Sequence, residues 1–285
     1  MGAQAQAADT SFSGINQIRV ERVFEGLTIR RLDAQSAPAT SVQVRESGLH
    51  SQFTLIRDTL IISLPEHLRD SPDPGSLRLL CLDGLNIEVR SPRGDMDASG
   101  WNGNISANIA EGTAQLSGIQ GNFSLNGDML DVIMTNIDRS NVSVRTQYGT
   151  VVHCKTPLRA GNYSLHSAHG DVQVFHYSSA SYALSAVSSE GMVDVYIDGV
   201  QAQTNHGNSA SSATAIVGTG KAALDLRTTD GFITIAQDVA PTVNLQLPQH
   251  GLQQSSARRG AYFQAPHFFG CPCHSGPPVV PSLEN

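Results

Sequence analysis

The side chains best suited to metal chemistry lie near the C-terminus, in the sequence Cys271-x-Cys273-His274. Thiolate and imidazole groups are the usual ligands of a structural zinc ion, and His267 lies nearby. The Cys-x-Cys spacing is tighter than that of common zinc fingers, and the chain has no second cysteine pair. Tail cysteines without a metal are therefore the favoured interpretation, and the sequence predicts no cofactor. Cys271, Cys273 and His274 are kept as metal candidates.

Hydrolysis of a glycosidic bond would need two carboxylates about 5–10 Å apart. In a stacked repeat protein, this means Asp or Glu at the same repeat position in adjacent copies. Asp171, Asp194 and Asp230 occupy three different positions. Asp95 and Asp97 match two of them, but several copies away. The sequence therefore predicts no catalytic residue and no enzyme, with a polysaccharide-acting β-helix enzyme as the weakest alternative.

Four histidines, His153, His166, His169 and His176, fall within two copies of the repeat. They occupy four different repeat positions, although two of them could still meet near one edge. Solvated polar side chains are the favoured interpretation.

These residues are positioned by a short repeat that begins Asn-apolar-x-apolar. Five clear copies begin at Asn86, Asn104, Asn122, Asn141 and Asn162, and a degenerate copy begins at Ser181. Successive starts differ by 18, 18, 19, 21 and 19 residues. A period near 20 is typical of a solenoid. Because apolar residues alternate within each copy, the sequence predicts an all-β, single-stranded parallel β-solenoid with about 20 residues per coil.

A glycine recurs in a constant frame, between two pairs of alternating apolar residues. The glycines are Gly94, Gly112, Gly149, Gly170, Gly191 and Gly231. A hydroxyl often stands three residues earlier, at Ser91, Thr146, Ser167, Ser188 and Thr228. We expect the glycines to form a corner because glycine tolerates positive φ, and the hydroxyls to bond to each other or to neighbouring backbone. The repeated asparagines are predicted to form a second, left-handed corner.

Periodicity divides the chain into four parts. Residues 1–13 are predicted to be disordered, and residues 14–76 to form an N-terminal β cap followed by a loop. Residues 77–248 are predicted to form the solenoid, with a mobile excursion at 199–220. Residues 249–285 lose the periodicity and gain proline, which indicates a flexible tail containing two cysteines.

Composition excludes some partners and leaves the compartment open. The net charge of −7 argues against nucleic acid, because phosphate binding needs a basic surface. No apolar run is long enough to span a membrane. The N-terminus resembles neither a signal peptide nor an Arg-rich transit peptide, and the four cysteines form no regular framework. An intracellular or organellar location is therefore favoured over secretion.

The repeat resembles the auto-transporter adhesin-type domain family, through residues 142–153, 163–174, 191–197 and 224–235 and the opening strands around 58–62. Segment 191–197 is most similar to a eukaryotic branch of that family. The resemblance covers roughly residues 15–248. It implies a right-handed β-solenoid without an established catalytic residue, and it makes a mitochondrial location one option.

The favoured hypothesis is a non-catalytic structural or protein-interaction scaffold, as an accessory subunit of a larger assembly. The solenoid face, an edge or the C-terminal tail would bind a protein partner; a small-molecule ligand is left open. The alternative is a carbohydrate- or surface-binding adhesin-like module, in which exposed aromatic rings would stack on sugars. The candidate rings are Tyr148, Phe175, Tyr177 and Tyr196.

Overall fold

The computed structural model describes residues 8–22, 26–32, 41–47, 51–63, 75–207 and 210–237. Within these ranges the regular elements are all strands, and no helix could span a membrane. The strands are β1 Ala8–Phe12, β2 Gln17–Glu21, β3 Gly26–Arg31, β4 Val42–Ser47, β5 Gln52–Ile56, β6 Thr59–Ser63, β7 Ser76–Cys81, β8 Asn86–Ser91, β9 Asp95–Ser99, β10 Asn104–Ile109, β11 Glu111–Ser117, β12 Asn122–Gly127, β13 Met129–Thr135, β14 Ser140–Thr146, β15 Val151–Thr156, β16 Gly161–Ser167, β17 Val172–His176, β18 Tyr182–Ser188, β19 Val193–Tyr196, β20 Gln203–His206, β21 Ser211–Val217, β22 Ala222–Thr228 and β23 Ile233–Gln237.

The strands form two large sheets that face each other across the core. Sheet A has 11 strands in the order β1-β4-β7-β3-β9-β11-β13-β15-β17-β23-β19. Sheet B has 12 strands in the order β20-β21-β18-β22-β16-β14-β12-β10-β8-β2-β6-β5. Consecutive strands alternate between the sheets through most of the chain, so each pair makes one coil of a solenoid-like stack.

The interior follows from the alternation of apolar and polar residues. In β14, for example, Val142 and Val144 point inwards and are almost fully buried, whereas Asn141 and Ser143 point outwards. The same alternation buries Val172 and Val174 in β17. Because like positions stack on like positions, these side chains form continuous apolar columns, which supply most of the stabilising burial.

The register of sheet B aligns the repeated asparagines. Asn104 pairs with Asn86 and Asn141 with Asn122, and Asn162 then pairs with Asn141. The offset between paired positions is therefore the sequence period itself. The central strands are parallel, as predicted, but both sheets are mixed because antiparallel strands lie at their ends.

The coils do not stack in the order of the sequence. Strands β22 and β23, the last described coil, lie between the β16–β17 coil and the β18–β19 coil. Near the N-terminus, β2 and β3 similarly lie between the β6–β7 coil and the β8–β9 coil. The first and last described coils in the sequence are therefore not the outermost coils of the stack. The β6–β7 coil lies outside the first, and the β18–β19 coil lies outside the last.

Antiparallel strands lie outermost at three of the four sheet ends, whereas sheet A ends on the parallel strand β19 at its other side. Strand β4 pairs with β7 and β1 with β4, while β5 pairs with β6. At the other end, β21 pairs with β18 and β20 with β21. One prediction is corrected here: residues 8–12 form a strand within the segment expected to be disordered. The excursion at 199–220 contains two strands, β20 and β21, and its mobility stays a prediction. Both segments pair with strands that would otherwise expose their backbone groups.

Some domain boundaries stay predictions. Most of the expected loop at 65–76 and the whole of the expected tail at 249–285 lie outside the described residues. The solenoid is described as far as residue 237, whereas its predicted end is residue 248.

Candidate functional site

The glycine corner is held by close approach between backbones. A Cβ atom on Gly170 would lie 2.3 Å from the Gly149 carbonyl oxygen, and one on Gly231 would lie 2.1 Å from that of Gly170. A Cβ atom on Gly191 would in turn lie 2.0 Å from the Gly231 carbonyl oxygen. These glycines do not have positive φ, which occurs in the frame only at Gly94 and Gly112. At Gly149, Gly170, Gly191 and Gly231, the expected reason for glycine, a positive φ, is therefore wrong. Glycine is needed there because the corner leaves no room for a side chain.

The hydroxyls of this corner bond to backbone, as one predicted alternative states. Ser167 Oγ donates to the Gly149 carbonyl at 2.6 Å. Thr228 Oγ1 donates to the Gly170 carbonyl at 3.1 Å and accepts from the Gly231 N–H at 3.0 Å. Each hydroxyl therefore connects two stacked coils inside the protein, where an unsatisfied polar group would be costly.

The asparagines form a ladder of side-chain hydrogen bonds. Each Nδ2 donates to the Oδ1 of the preceding coil, over 2.8 Å from Asn104 to Asn86, 2.9 Å from Asn122 to Asn104, 2.9 Å from Asn141 to Asn122 and 3.0 Å from Asn162 to Asn141. None of the five has positive φ. The prediction of a left-handed asparagine corner is wrong: asparagine recurs because its amide both donates and accepts, which lets one side chain continue the ladder.

A shallow groove of about 680 Å³ runs beside this ladder on the outer face of sheet B. Ser106, Ser124, Ser143 and Ser164 are in register along it. Glu88 at one end receives hydrogen bonds from Arg19 at 2.8 Å and Arg90 at 2.7 Å. Desolvation raises the pKa of Glu88, but these hydrogen bonds and charges outweigh it, so the net shift is downward. The groove can offer hydroxyl and amide groups to an extended polar ligand.

The outer side of the glycine corner carries a different set of residues, which we call the corner ridge: Tyr148, His169, Asp230, Phe232 and Met192. The Tyr148 and His169 rings are stacked, with centroids 4.9 Å apart and an interplanar angle of 18°. His169 Nδ1 lies 2.9 Å from Asp230 Oδ2. Tyr148, Met192 and Phe232 are 58%, 48% and 43% exposed. The ridge therefore presents aromatic and apolar groups to solvent from several stacked coils.

The corner is charged and polar towards its N-terminal end. Towards the N-terminal end, the equivalent positions are Arg93, Asp95, Glu111 and Thr113. The Asp95 carboxylate accepts a hydrogen bond from the Thr113 N–H at 2.8 Å. Asp131 and Asp171 repeat this bond further along, to Thr150 N at 2.7 Å and to Phe232 N at 2.9 Å. These aspartates therefore connect adjacent coils.

One carboxylate pair escaped the sequence comparison. Glu190 and Asp230 precede their glycines by one residue, and their coils are adjacent: Glu190 N–H bonds to the Thr229 carbonyl. A comparison of the aspartates alone does not find this pair, because one member is a glutamate and because the coil of Asp230 is inserted out of sequence order. Both side chains are exposed on a corner, whereas a general acid of a glycosidase is normally kept in an apolar pocket.

The histidines are not all surface residues, contrary to the favoured interpretation. His153 is fully buried against Tyr163, and neither ring nitrogen has a hydrogen-bond partner among the described residues. Burial lowers the pKa of His153 to about 3, and the nearby Ile137 backbone opposes this shift without making a hydrogen bond of good geometry to the ring. His176 is also buried, with Nδ1 2.9 Å from the Tyr177 carbonyl oxygen. The prediction of solvated histidines fails for these two.

The metal candidates Cys271, Cys273 and His274 lie outside the described residues. Within the described ranges, three or more potential ligands do not cluster anywhere. Of the other two cysteines, Cys81 is free and buried, and burial raises the pKa of its thiol to about 12. Cys154 is disulfide-bonded.

Three of the solved structures that the chain matches come from bacteria. One is a "putative cell adhesion protein" from Clostridium sporogenes, with 11% identity, 81% of this chain and 99% of that chain covered, and a TM-score of 0.33. Others are a "putative adhesin" from Bacteroides fragilis, with 10% identity, 82% and 100% coverage and a TM-score of 0.25, and a "putative adhesin" from Parabacteroides distasonis, with 10% identity, 81% and 96% coverage and a TM-score of 0.29.

No curated protein matches the sequence. A family match, by contrast, spans residues 27–238 and therefore most of the two-sheet stack. The chain belongs to the Toastrack DUF4097 family.

Proposed function

We propose that the protein is a non-catalytic interaction module whose corner ridge binds a protein partner. The stack supplies a rigid support, because each coil is bonded to the coils on either side. The observation that carries the proposal is the exposure of Tyr148, Phe232 and Met192 along one corner. Aromatic residues and methionine are enriched in the buried centres of protein interfaces.

The charged and polar groups of the ridge suit the edge of such an interface. His169 lies in the coil between those of Tyr148 and Phe232, Asp230 lies in the coil of Phe232, and both polar side chains remain accessible. A partner could therefore bury apolar surface around a polar contact that also fixes its orientation.

Quantitative affinity purification with mass spectrometry tests the proposal. We expect one protein to co-purify with the tagged wild type in stoichiometric amount, and to be lost from a Phe232→Ser and Met192→Ser double variant. The matched control is Leu55→Ser with Ile56→Ser, since these residues are similarly exposed, at 55% and 54%, on β5. Equal recovery from both variants would contradict the assignment of the ridge.

A second candidate is an adhesin-like module that binds carbohydrate in the groove of sheet B. The support is the row of serine hydroxyls beside the asparagine amides, which suits hydrogen bonding to sugar hydroxyls. Against it, the tryptophan of the chain, Trp101, is buried and donates to the Leu82 carbonyl at 2.8 Å. Binding on a glycan array that Ser124→Phe abolishes, with the ridge variant unaffected, would favour this candidate.

We also propose a handedness, a coil length, a role in an assembly and a location for the module. We take the stack as a right-handed solenoid with coils of about 20 residues, because crossovers between parallel strands are overwhelmingly right-handed. An accessory role within a larger assembly follows from a binding surface without a catalytic set. An organelle is the proposed location, with the mitochondrion one option through the eukaryotic branch. Imaging of the tagged native protein would test the location.

A further inference from the structure

The outer face of sheet A changes character at β15. Val151 and His153 point into the core, so the alternation directs Val152 and Cys154 outwards. These two outward side chains are nevertheless 7% and 0% exposed. On the adjacent strand β13, the outward-facing Ile133 is only partly buried. Part of the outer face of sheet A is therefore covered.

The neighbouring strands account for the inside and the edges of β15. Strands β13 and β17 flank it within sheet A, and β16 lies across the interior. The apolar surface continues from Val152 and Cys154 through Phe175 to Ala236, which faces outwards yet is 7% exposed. We call these four residues the outer apolar patch. Because these exposed fractions belong to the single chain, the covering has to come from another part of the same chain.

The cysteines indicate that the C-terminal segment supplies this covering. Cys154 is disulfide-bonded and Cys81 is free. The chain has four cysteines, so Cys271 and Cys273 are the partners that the chain itself offers to Cys154. A disulfide holds the two Cα atoms about 4.4–6.8 Å apart, which would bring the C-terminal segment onto the outer apolar patch.

The length and composition of the C-terminal segment fit this position. Strand β23 ends at Gln237, two strands from β15 in sheet A, or roughly 10 Å away. A further 48 residues (285 minus 237) follow, which is ample to return to β15. Tyr262, Phe263, Phe268 and Phe269 shortly precede Cys271, and such rings can cover an apolar surface.

We propose that the segment around Phe268–Cys273 docks on the outer apolar patch, and that Cys154 forms a disulfide with Cys271 or Cys273. Formation of this bond removes two protons and two electrons from two thiols. A disulfide of the glutathione type accepts them by exchange and leaves as two thiols. The bond persists where the compartment is oxidising, which agrees with an organellar location.

Peptide mapping without reduction tests the covalent part. Trypsin cuts after Arg145, Lys155 and Arg259, so Cys154 lies in peptide 146–155 and both tail cysteines lie in peptide 260–285. After free thiols are blocked in the intact native protein, we expect these two peptides to be linked. Serine in place of the tail cysteine that forms the bond, Cys271 or Cys273, should abolish the link, and Cys81→Ser should leave it intact. Peptide 146–155 that is unlinked, or linked to a second copy of itself, would overturn the proposal.

Thiol reactivity in the reduced full-length chain tests the docking separately. Replacing Phe268 and Phe269 by Ser should make Cys154 react with iodoacetamide about tenfold faster than in the wild type, because opening of the patch becomes easier. Cys81 is the internal control and should react equally slowly in both proteins. Equal rates at Cys154 would show that the tail does not cover it.

Discussion

The glycine corner and the asparagine ladder repeat with the same period but for different physical reasons. At the glycine corner, successive backbones come so close that any side chain would collide with a carbonyl oxygen, and buried hydroxyls complete the backbone hydrogen bonds. The ladder lies on the surface, where amide side chains bond to one another. The corner therefore requires a residue without a side chain, whereas the ladder requires an amide side chain that both donates and accepts hydrogen bonds.

The outer side of the glycine corner varies from coil to coil, apart from the aspartates that connect adjacent coils, Asp95, Asp131 and Asp171. It is charged and polar near the N-terminal end and carries Tyr148, Phe232 and Met192 near the other. In a solenoid, a residue that every coil needs will recur, whereas a residue needed by a partner will occur once. The comparison therefore separates positions that build the stack from positions that are available for binding.

Buried His153 in the interior is expected to have the largest effect on the free energy of unfolding, and this effect depends on pH. The pKa of His153 is lowered to about 3 by burial, against about 6.5 in an unfolded chain. Between these values the unfolded state binds more protons, so stability is full above pH 6.5 and falls as pH decreases. The contribution is on the order of 1.4 kcal/mol per pH unit. Urea unfolding from pH 7.5 to 4.5 should show a shallower loss for His153→Met than for the wild type; equal slopes would contradict it.

A side chain at the glycine corner should have the next largest effect. Gly170→Ala places a Cβ atom 2.3 Å from the Gly149 carbonyl oxygen, so the two coils must move apart, at a cost of about 2–3 kcal/mol in the free energy of unfolding. Gly26→Ala is the matched control, since its Cβ atom would meet nothing within 4 Å. Comparable denaturation midpoints for the two variants would contradict the claim that the corner leaves no room for a side chain.

Loss of a corner hydroxyl should cost less. Ser167→Ala leaves the buried Gly149 carbonyl without the hydrogen bond of 2.6 Å, which should lower the free energy of unfolding by about 1–2 kcal/mol. Ser167→Thr should recover most of this loss, because threonine already occupies the position in the coils on both sides, at Thr146 and Thr228. Failure of threonine to restore stability would point to packing as the cause.

The ladder should be the least sensitive of these sites. Asn122→Ala removes its bonds to Asn104 and Asn141, each of 2.9 Å. These bonds are exposed and exchange with water, so we expect a loss of about 0.5–1 kcal/mol. Asn122→Asp offers a control that keeps an acceptor and removes the donor. A loss as large as that of Gly170→Ala would contradict the ranking of the two regions.

The sequence predicted the positions within a coil much better than the order of the coils. Alternation correctly identified Val142, Val144, Val172 and Val174 as interior residues. It also contained a signal for His153, which stands four residues after Gly149, as Val174 does after Gly170; the position was assigned by residue type instead. Periodicity shows where a residue lies within its coil. It does not show the order in which coils with the same pattern stack, so it could not place β22 and β23 between the β16–β17 coil and the β18–β19 coil.

The candidate site was hidden for the same reason. Phe232 and Met192 lie far apart in sequence and become neighbours only through the inserted coil, in which Ile233 N–H bonds to the Met192 carbonyl at 2.9 Å. The pairing of His169 with Asp230 depends on the same insertion. Positions that do not repeat leave no pattern in a single sequence, so the ridge required the three-dimensional order of the coils.

Site-specific photo-crosslinking in cells tests the central claim most directly. A photoreactive amino acid would replace Phe232 on the ridge or, in a parallel protein, Asn122 on the ladder. The account predicts a single crosslinked protein partner from position 232 and none from position 122. Crosslinking from the ladder alone, or equally from both positions, would contradict the division between building residues and binding residues.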